Sequence, residues 1–349
     1  MDKSVDYIMV GQGLAGSLLS YELIKEGKKI QVFNENKQQT SSRVAAGLYN
    51  PITGRKMVKT WNADNLFPLI EPFYRELEEW VGSKFLHPIK IYRPFLNIDE
   101  QNEWQAKISD PHFKNFVESI STTSKVAGVN NEFGGITLKP SGYVDINTMV
   151  DGVEAQLLKL GVLDQSRFKV EDLKINDGRV EYRGIKASKI VFCTGIDKID
   201  YFDWLPFRPV KGEILEVAGK FQLKEIVNRG VFILPKGNGK FKVGATYNWK
   251  DLTLKISNEG KEFLIEKLRS LISSDFEVVG GKVGIRPTTP DRRPFIGQHP
   301  KNPELYVFNG FGTKGVSLVP YYARQFFEYL EKDKELDTEV NIKRYFSLI

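Results

Sequence analysis

The sequence predicts an α/β protein built around a dinucleotide-binding βαβ unit. A short apolar run over residues 7–10 leads directly into the turn Gly11-Gln12-Gly13-Leu14-Ala15-Gly16. Helix-forming residues continue to Gly27, and a second apolar run covers residues 30–33. A strand, a glycine turn, a helix and a second strand in this order are the layout of a Rossmann-type unit. The chain has 349 residues, too many for one compact core, so two domains are expected.

Each glycine of this turn has a physical role. Gly11 permits the tight turn out of the strand, Gly13 lets the backbone approach a pyrophosphate, and Gly16 lets the helix lie close to the sheet. The helix N-terminus directs unpaired N–H groups and its positive dipole end toward the phosphates. The position that usually holds a carboxylate for the ribose is Asn34, followed by Glu35, and either side chain can accept that hydrogen bond. No arginine follows immediately, which disfavours NADP.

Composition and charge are those of a soluble enzyme. Apolar residues make up 41% of the chain, enough to fill two cores. The first strand begins close to Met1, which leaves no room for a signal peptide, and no stretch approaches ~18 uncharged apolar residues. The single cysteine, Cys193, excludes an internal disulfide and favours a reducing compartment, so a cytoplasmic location is expected. The formal charge of +6 is spread along the chain, as on a solvated surface; attraction to acidic substrates or nucleic acid is the alternative.

The β-rich segments lie between pieces of the nucleotide-binding unit. Helical periodicity covers residues 66–81, 101–116 and 147–160. Strand-like runs cover residues 90–98, 135–138, 185–193, 210–217 and a hairpin, 230–235 with 241–245, that turns at Lys236-Gly237-Asn238-Gly239. The core of the nucleotide-binding domain is therefore expected to be discontinuous in sequence.

A second glycine turn lies near the C-terminus. It follows the segment Gly284-Ile285-Arg286-Pro287-Thr288-Thr289-Pro290-Asp291 and a strand-like run over residues 305–308. The turn itself, Gly310-Phe311-Gly312-Thr313-Lys314-Gly315, opens a helix from Val316 onward. Backbone N–H groups and the helix dipole converge at such a turn, which makes it a second site for negative charge. In a flavoenzyme, the N1–O2 charge of the reduced isoalloxazine would rest here.

In the order of these motifs the chain resembles the FAD-dependent D-amino acid oxidase superfamily, and within it the glycine oxidase and sarcosine oxidase branch. The resemblance covers nearly the whole chain. Besides the two glycine turns it rests on Ser41-Ser42, Ala45-Ala46-Gly47, residues 189–195, Pro209-Val210-Lys211-Gly212-Glu213, Val243-Gly244-Ala245-Thr246 and Gly284-Ile285-Arg286-Pro287. It implies a Rossmann-type FAD-binding domain, residues 1–60, 143–205 and 280–349, with an inserted antiparallel-sheet α+β substrate-binding domain, residues 61–142 and 206–279.

The resemblance also implies an extended FAD, with its adenosine at Asn34 and Glu35 and its flavin between residues 46–48 and residues 310–315. Cys193 is expected at a buried strand end, so no cysteine is available for a covalent flavin link and the FAD should be non-covalent. The cofactor-binding residues implied are Gly11, Gln12, Gly13, Leu14, Ala15, Gly16, Asn34, Glu35, Ser42, Arg43, Ala45, Ala46, Gly47, Leu48, Val170, Thr194, Gly195, Arg286, Gly310, Phe311, Gly312, Thr313, Lys314 and Gly315.

The activity implied is oxidation of a C–N bond by hydride transfer to flavin N5, for which the protein supplies mainly positioning. By the same resemblance Arg286 clamps the substrate carboxylate, which a planar guanidinium can do bidentately. The structural alternative for Arg286 is a pair with Asp291. Tyr247 and Phe232 would line the substrate face, although related enzymes often place a phenol where this chain has Phe232.

Four further residues are candidates with open alternatives. Lys314 is expected to contact the substrate carboxylate or the flavin, or else to be a solvent-facing loop lysine. Tyr49, Asn50 and Arg55 follow the flavin-facing segment and could reach the substrate; packing or surface roles are the alternative. Arg286, Tyr247 and Lys314 are thus the candidate catalytic residues. No metal is expected, and structural or surface roles are expected for the three histidines, His87, His112 and His299.

Three functions agree with the sequence. The first is oxidation of a small amino acid or secondary amine, with oxygen or another electron acceptor. The second is oxidation of a carboxymethylamino group on a tRNA wobble uridine; the high pI of about 9.0 favours it slightly, but no basic stripe with interleaved aromatic residues is evident. The third is a flavin-binding sensor without turnover.

Overall fold

The computed structural model describes residues 3–35, 39–54, 56–176 and 178–349. In chain order its strands are β1 (Lys3–Val10), β2 (Ile30–Phe33), β3 (Leu48–Tyr49), β4 (Ile52–Thr53), β5 (Val58–Lys59), β6 (Leu86–Pro88), β7 (Ile91–Pro94), β8 (Val117–Ser121), β9 (Gly135–Leu138), β10 (Gly142–Val144), β11 (Leu163–Asp164), β12 (Lys174–Asn176), β13 (Arg179–Tyr182), β14 (Ile185–Phe192), β15 (Val210–Gly219), β16 (Ile226–Arg229), β17 (Val231–Pro235), β18 (Lys240–Gly244), β19 (Phe276–Arg286), β20 (Phe295–Gln298) and β21 (Leu305–Asn309). Its α-helices are α1 (Leu14–Lys25), α2 (Ser41–Val44), α3 (Ala63–Val81), α4 (Ile98–Lys107), α5 (Ile146–Lys159), α6 (Asn258–Leu271) and α7 (Gly315–Lys332).

The N-terminal βαβ unit lies at the centre of the first large sheet. Strand β1 pairs in parallel with β2 on one side and with β14 on the other. Strand β11 extends this sheet beyond β2, and β21 extends it beyond β14, both in parallel. The edge strand β20 and the hairpin β12–β13 are antiparallel. This arrangement confirms the predicted α/β class with a Rossmann-type unit.

Strand β1 is buried on both faces. Tyr7 and Met9 face one hydrophobic core, which also contains residues of α1, α5 and α7, whereas Ile8 and Val10 face a second core on the opposite side. A parallel strand covered on both faces needs a continuous apolar run rather than an alternating one. This explains the run over residues 7–10 from which the unit was predicted.

The second large sheet has the strand order β19-β15-β18-β17-β16-β7-β9-β8 and is antiparallel except for the parallel pair β16–β7. Helix α6 packs against β15, β17 and β18, where Leu264 and Leu268 join Val217 and Val243 in a third core. The sheet combines strands from both segments that the sequence assigns to the substrate-binding domain. The residue boundaries of the two domains stay a prediction.

Two secondary-structure predictions were wrong at their ends. The helix expected over residues 101–116 is α4, which ends at Lys107; the next residues form turns, and Phe113 packs edge-on against Trp104. The residues beyond Lys107 have helix-like apolar spacing because aromatic side chains of these turns, such as Phe113, pack onto the core. The strand expected over residues 90–98 ends at Pro94, and the Asn97 side chain caps α4 by accepting a hydrogen bond from the N–H of Glu100.

None of the described helices is both long and apolar enough to cross a membrane.

We predict that Gly47→Ala destabilises the fold far more than Gly27→Ala. Gly47 has a φ of +76°, and a Cβ there would lie 1.9 Å from the carbonyl oxygen of Val144. Gly27 has almost the same φ, +77°, with nothing within 4 Å of an added Cβ. Gly27→Ala should therefore cost only backbone strain, about 1–2 kcal/mol. Gly47→Ala should cost roughly 1–3 kcal/mol more because the backbone has to move.

The free energy of unfolding of both variants, measured by urea denaturation, tests this prediction. Equal losses in the two variants would contradict the close backbone contact at Gly47.

Candidate active site

A large cavity of about 2410 Å³ lies between the two sheets. Its wall begins at the glycine turn between β1 and α1 and continues to the face of the second sheet that is opposite α6, including Gly212, Phe232 and Gly244. Small-molecule pockets usually measure about 300–1,000 Å³. The cavity therefore has room for a large cofactor together with a substrate.

The first glycine turn is shaped by close backbone approaches. Gly11 has a φ of +96°, and a Cβ there would lie 2.7 Å from the carbonyl oxygen of Cys193. A Cβ on Gly16 would lie 1.9 Å from the carbonyl oxygen of Gly11. Helix α1 can begin directly beneath the turn only because both residues lack a side chain. Its N-terminus thereby faces the cavity, as a pyrophosphate group requires.

Two side chains hold this turn in place. Asn34 Oδ1 accepts a hydrogen bond from the N–H of Gln12 at 2.9 Å, and Ser42 Oγ accepts one from the N–H of Leu14 at 3.0 Å. Both Asn34 and Glu35 lie in the cavity wall. Because the Asn34 oxygen is engaged by the turn, we propose Glu35 as the partner of the ribose hydroxyls.

The second glycine turn is tied to the end of β14 by Asn309, which the sequence analysis missed. Asn309 Nδ2 donates to the carbonyl oxygen of Gly195 at 2.9 Å, and its Oδ1 accepts from the N–H of Gly310 at 2.8 Å. The N–H of Gly312 donates to the carbonyl oxygen of Pro287 at 3.1 Å. A polar residue between a buried strand and a glycine turn is the signal that would have pointed to Asn309.

Most residues predicted to bind the cofactor lie in the cavity wall. Arg43 and Gly16 do not: the Arg43 guanidinium forms ion pairs with Asp151 at 2.6 Å and with Glu154 at 3.6 Å. The residues that the structure brings together in the wall are Gly11, Gln12, Gly13, Leu14, Ala15, Asn34, Glu35, Ser42, Ala45, Ala46, Gly47, Leu48, Val170, Thr194, Gly195, Arg286, Gly310, Phe311, Gly312, Thr313, Lys314 and Gly315. Their contacts with a cofactor stay a prediction, but the two glycine turns, which line one cavity, fit a dinucleotide.

Of the residues predicted near the substrate, Asn50 lies in the wall and Tyr49 does not. Tyr49 is fully buried, and its hydroxyl hydrogen-bonds to Glu71 at 3.2 Å. Arg55 lies outside the described residues.

Arg286 is the last residue of β19, and its guanidinium lies over Gly212. A Cβ on Gly212 would come within 2.0 Å of Arg286 Nη2, so this position has to be glycine. Nη1 donates to the carbonyl oxygens of Thr246 at 3.1 Å and Lys211 at 3.4 Å. The Tyr247 ring lies 4.6 Å from the guanidinium carbon, a cation–π distance.

The other edge of the Arg286 guanidinium, Nε and Nη2, has no hydrogen-bond partner among the described residues, and none of their carboxylates forms an ion pair with it. Asp291, the structural alternative, pairs instead with Arg344 at 2.9 Å. Burial lowers the pKa of Arg286, although the guanidinium stays charged at any physiological pH. The outcome is a partly buried cation with its bidentate edge unengaged.

Lys314 is a second cation in the cavity wall. It occupies the N-cap position of α7 without a capping hydrogen bond from its side chain, and its Nζ donates to Thr53 Oγ1 at 3.3 Å and to Thr60 Oγ1 at 3.4 Å. No described carboxylate forms an ion pair with it. Burial, with the charges of Arg292 and Arg293, lowers the pKa of Lys314 to about 8. The lysine is therefore not the solvent-facing loop residue of the alternative reading.

The histidines contribute no acid or base to this cavity. His87 lies in β6, stacked on Tyr143 at 4.5 Å. His299 Nδ1 accepts hydrogen bonds from the backbone N–H groups of residues 301 and 302. Burial lowers the pKa of both, and His112 is exposed. Among the described residues, no group of three or more potential ligands is arranged to hold a metal ion.

The lowered pKa of Lys314 predicts a pH-dependent stability of the ligand-free protein. The ordinary lysine pKa is 10.5, so between pH 8 and 10.5 Lys314 binds more protons in the unfolded chain than in the folded protein, and its own contribution to stability rises with pH. Lys314→Met removes the buried charge. The variant should be more stable than wild type near pH 7, by on the order of 1–3 kcal/mol, and this difference should close toward pH 10.

Urea denaturation at the two pH values measures the difference. Lys198→Met is the matched control, because Lys198 is an exposed lysine of the same wall and should show no pH-dependent difference. A gap between Lys314→Met and wild type that is the same at both pH values would contradict the lowered pKa.

Comparisons with known proteins find similar sequences and structures over most of the chain. A family model described as FAD dependent oxidoreductase (DAO) matches residues 6–328. Glycine oxidase from Bacillus licheniformis is 32% identical over 344 residues, which cover 92% of this chain and 91% of that protein. The crystal structure of glycine oxidase from Geobacillus kaustophilus has a TM-score of 0.79 at 20% identity and covers 98% of each chain, which shows the shared fold.

A second group of relatives is longer than this chain. The tRNA 5-methylaminomethyl-2-thiouridine biosynthesis bifunctional protein MnmC of Marinobacter nauticus is 23% identical over 359 residues, covering 93% of this chain and 54% of that protein. The chain thus spans about half the length of these relatives.

The family match confirms the resemblance seen in the sequence. The chain belongs to the FAD dependent oxidoreductase (DAO) family, in its glycine oxidase and sarcosine oxidase-like branch, and is a flavoenzyme with FAD as its cofactor.

Proposed function

We propose that this flavoenzyme oxidises the C–N bond of a small amino acid or secondary amine that carries a carboxylate. The observation that carries the proposal is the unengaged Nε/Nη2 edge of Arg286, which has no hydrogen-bond partner among the described residues. A carboxylate bound there would form two parallel charge-assisted hydrogen bonds, the geometry for which a guanidinium is best suited.

The names of relatives support a carboxylate-bearing amine. Besides glycine oxidase, the similar structures include iminodiacetate oxidase from Chelativorans sp. BNC1, with a TM-score of 0.76 at 18% identity and coverage of 97% of this chain and 98% of that chain. Glycine and iminodiacetate both carry a carboxymethyl group on nitrogen. A carboxylate one carbon from the reacting C–N bond suits a single arginine that both binds and orients the substrate.

FAD, when bound, would supply the hydride acceptor, flavin N5. The chain's own residues contribute charge and orientation. Arg286 and Lys314 are cations in one wall, and nearby positive charge lowers the pKa of a substrate ammonium. They therefore favour the neutral amine that hydride transfer requires. Phe232, whose ring would collide at 2.8 Å with a Cβ on Gly244, offers an apolar surface against which the substrate carbon can lie.

The second candidate is a carboxymethylamino group on a tRNA wobble uridine. The MnmC relatives support it, and so does the charge of the cavity wall, where lysine and arginine outnumber acidic residues among the described positions. The same Arg286 would bind the carboxylate of that group. The comparisons lend no support to a sensor without turnover.

Anaerobic bleaching of the flavin tests the proposal. Glycine, sarcosine, proline, iminodiacetate, D-amino acids and tRNA bearing the modified uridine are mixed with the enzyme without oxygen. We expect bleaching by a small carboxylate-bearing amine. Bleaching by tRNA alone would favour the second candidate, and bleaching by none of the panel would overturn both.

Arg286→Ala should remove most activity toward a carboxylate-bearing amine. Loss of a buried charge-assisted pair costs on the order of 2–5 kcal/mol, which appears as a fall in kcat/KM. Arg286→Lys should also be poor, because an ammonium cannot replace the two-pronged contact. The decarboxylated analogue of each substrate is the control and should lose much less. Equal losses on both compounds, with FAD fully bound, would show that Arg286 does not bind the carboxylate.

Gly13→Val should abolish FAD binding. A side chain at Gly13 projects toward Ser42, whose Oγ would lie 3.1 Å from the added Cβ, and fills the space proposed for the pyrophosphate. Wild-type protein should release FAD rather than FMN on heating, and the variant should be purified colourless. Gly27→Ala, at the far end of α1, is the control and should bind FAD normally. Full FAD content in Gly13→Val would contradict the proposed pyrophosphate position.

A further inference from the structure

The segment over residues 245–257, which we call the Tyr247 loop, joins β18 to α6 at the cavity mouth. Its outer side carries exposed apolar residues; Tyr247 and Trp249 are 54% and 59% exposed. A loop with so much apolar surface in water has no core of its own to hold its shape. What holds it is a set of polar contacts on its inner side, against β15.

Lys211 on β15 provides the main contact. It is only 1% exposed, and its Nζ donates to Asp251 Oδ2 at 2.5 Å and to the carbonyl oxygen of Lys255 at 2.6 Å. Glu213 Oε1 lies 3.4 Å from the same ammonium. Burial alone lowers the pKa of Lys211, but the hydrogen bond to Asp251 and the charges of Glu213 and Asp251 raise it overall. The charged form of Lys211 is therefore favoured, and its hydrogen bonds anchor the middle of the loop.

Glu213 holds both ends of the loop. Its Oε2 accepts a hydrogen bond from the Thr246 hydroxyl at 3.0 Å, and its Oε1 accepts one from the N–H of Ser257 at 2.7 Å. A Cβ on Gly260 would lie 1.7 Å from Glu213 Oε2, so α6 begins against this carboxylate. Lys211 and Glu213 lie on the same face of β15, and together they fix the start, middle and end of the loop.

The same strand and loop hold Arg286. The two carbonyl oxygens that accept from Arg286 Nη1 belong to Lys211 and Thr246, and the ring over the guanidinium belongs to Tyr247. The backbone of Lys211 also pairs with Asn248 in an antiparallel bridge. A displacement of residues 246 and 247 would therefore remove one of the two acceptors on Nη1 and the aromatic cover together.

We infer that Lys211 is a positioning residue of the carboxylate site. Its hydrogen bonds to Asp251 and to the carbonyl oxygen of residue 255 keep the Tyr247 loop against Arg286. The Nη1 atom of Arg286 thereby stays engaged, and its Nε/Nη2 edge faces the ligand. This inference rests on the proposed function of Arg286. A long side chain whose acceptors are lost can take other rotamers, and a displacement of about 1 Å in a positioning group can cost ~100-fold.

The experiment measures binding of acetate to the FAD-loaded enzyme by the change in the flavin absorption spectrum. Acetamide, a neutral compound of the same shape, is titrated in parallel. The variants are Arg286→Ala, Lys211→Met, Asp251→Asn and Lys255→Met. Lys255→Met is the matched control, since it makes the same lysine-to-methionine change within the Tyr247 loop; only the backbone carbonyl of Lys255 takes part in the contact, and its exposed ammonium does not. Hydrogen exchange of the amides of residues 246–257 reports the order of the loop.

We expect Lys211→Met and Asp251→Asn to raise the Kd of acetate by at least about tenfold while leaving that of acetamide unchanged, and to speed exchange in the loop. Lys255→Met should match wild type. Asp251 is 35% exposed, so Asp251→Asn is the milder change and decides alone if Lys211→Met does not fold.

Two outcomes are distinct. If acetate does not bind wild type, or binds Arg286→Ala as tightly, the proposed carboxylate site fails and the inference fails with it. If acetate binding depends on Arg286 but Asp251→Asn and Lys211→Met behave like Lys255→Met, the carboxylate site stands and the positioning role of Lys211 is wrong.

Discussion

Two cations face one cavity and constrain the rest of this structure, because neither of them has a carboxylate partner among the described residues. Arg286 and Lys314 each lose hydration on folding, and no described acidic group forms an ion pair with either. Burial of a charge without an opposite charge costs free energy, and binding of an anionic ligand can offset that cost. Backbone carbonyl and hydroxyl oxygens stabilise these two positive charges only in part, so the cavity favours binding of an anion. A substrate carboxylate and the negative charge of a reduced flavin are two such anions.

The fold brings these cations together from distant parts of the chain. Arg286 ends a strand of the second sheet, whereas Lys314 begins α7 beside the first sheet. Their common cavity depends on two contacts. Gly212 has no side chain and so leaves room for the guanidinium, and the Asn309 side chain ties the turn before α7 to the residues that follow β14. The first sheet is covered on both faces, and the cavity begins at the carboxyl ends of its strands, at Val10 and Phe33. It continues along the face of the second sheet that α6 leaves uncovered. The position of the site is thus a consequence of where the strands of the first sheet end and of which face of the second sheet is open.

Local chemistry made part of this structure predictable. The Gly11 turn could be recognised because strand, turn and helix are adjacent in sequence and each glycine has a steric reason. The role of Asn34 could not, because an amide at a ribose position and an amide that holds the turn look identical until the N–H of Gln12 is placed. The pairing of Lys211 with Asp251 joins residues 40 positions apart through a loop with no regular pattern. Helix α4 was overextended because aromatic residues of the following turns, such as Phe113, continue its apolar spacing.

The two candidate substrates differ outside the carboxylate rather than at it. A small amine and a modified uridine can present the same carboxymethylamino end to Arg286, so the arginine alone cannot separate them. Discrimination has to come from what surrounds the mouth, where Tyr247 and Trp249 stand exposed with ring centroids 6.1 Å apart. When a small amine is bound, both rings stay exposed to water. Only a larger substrate or a partner would bury their apolar surface. The Lys211 contact that orients Arg286 also sets where these rings stand, so carboxylate recognition and substrate size are coupled through one loop.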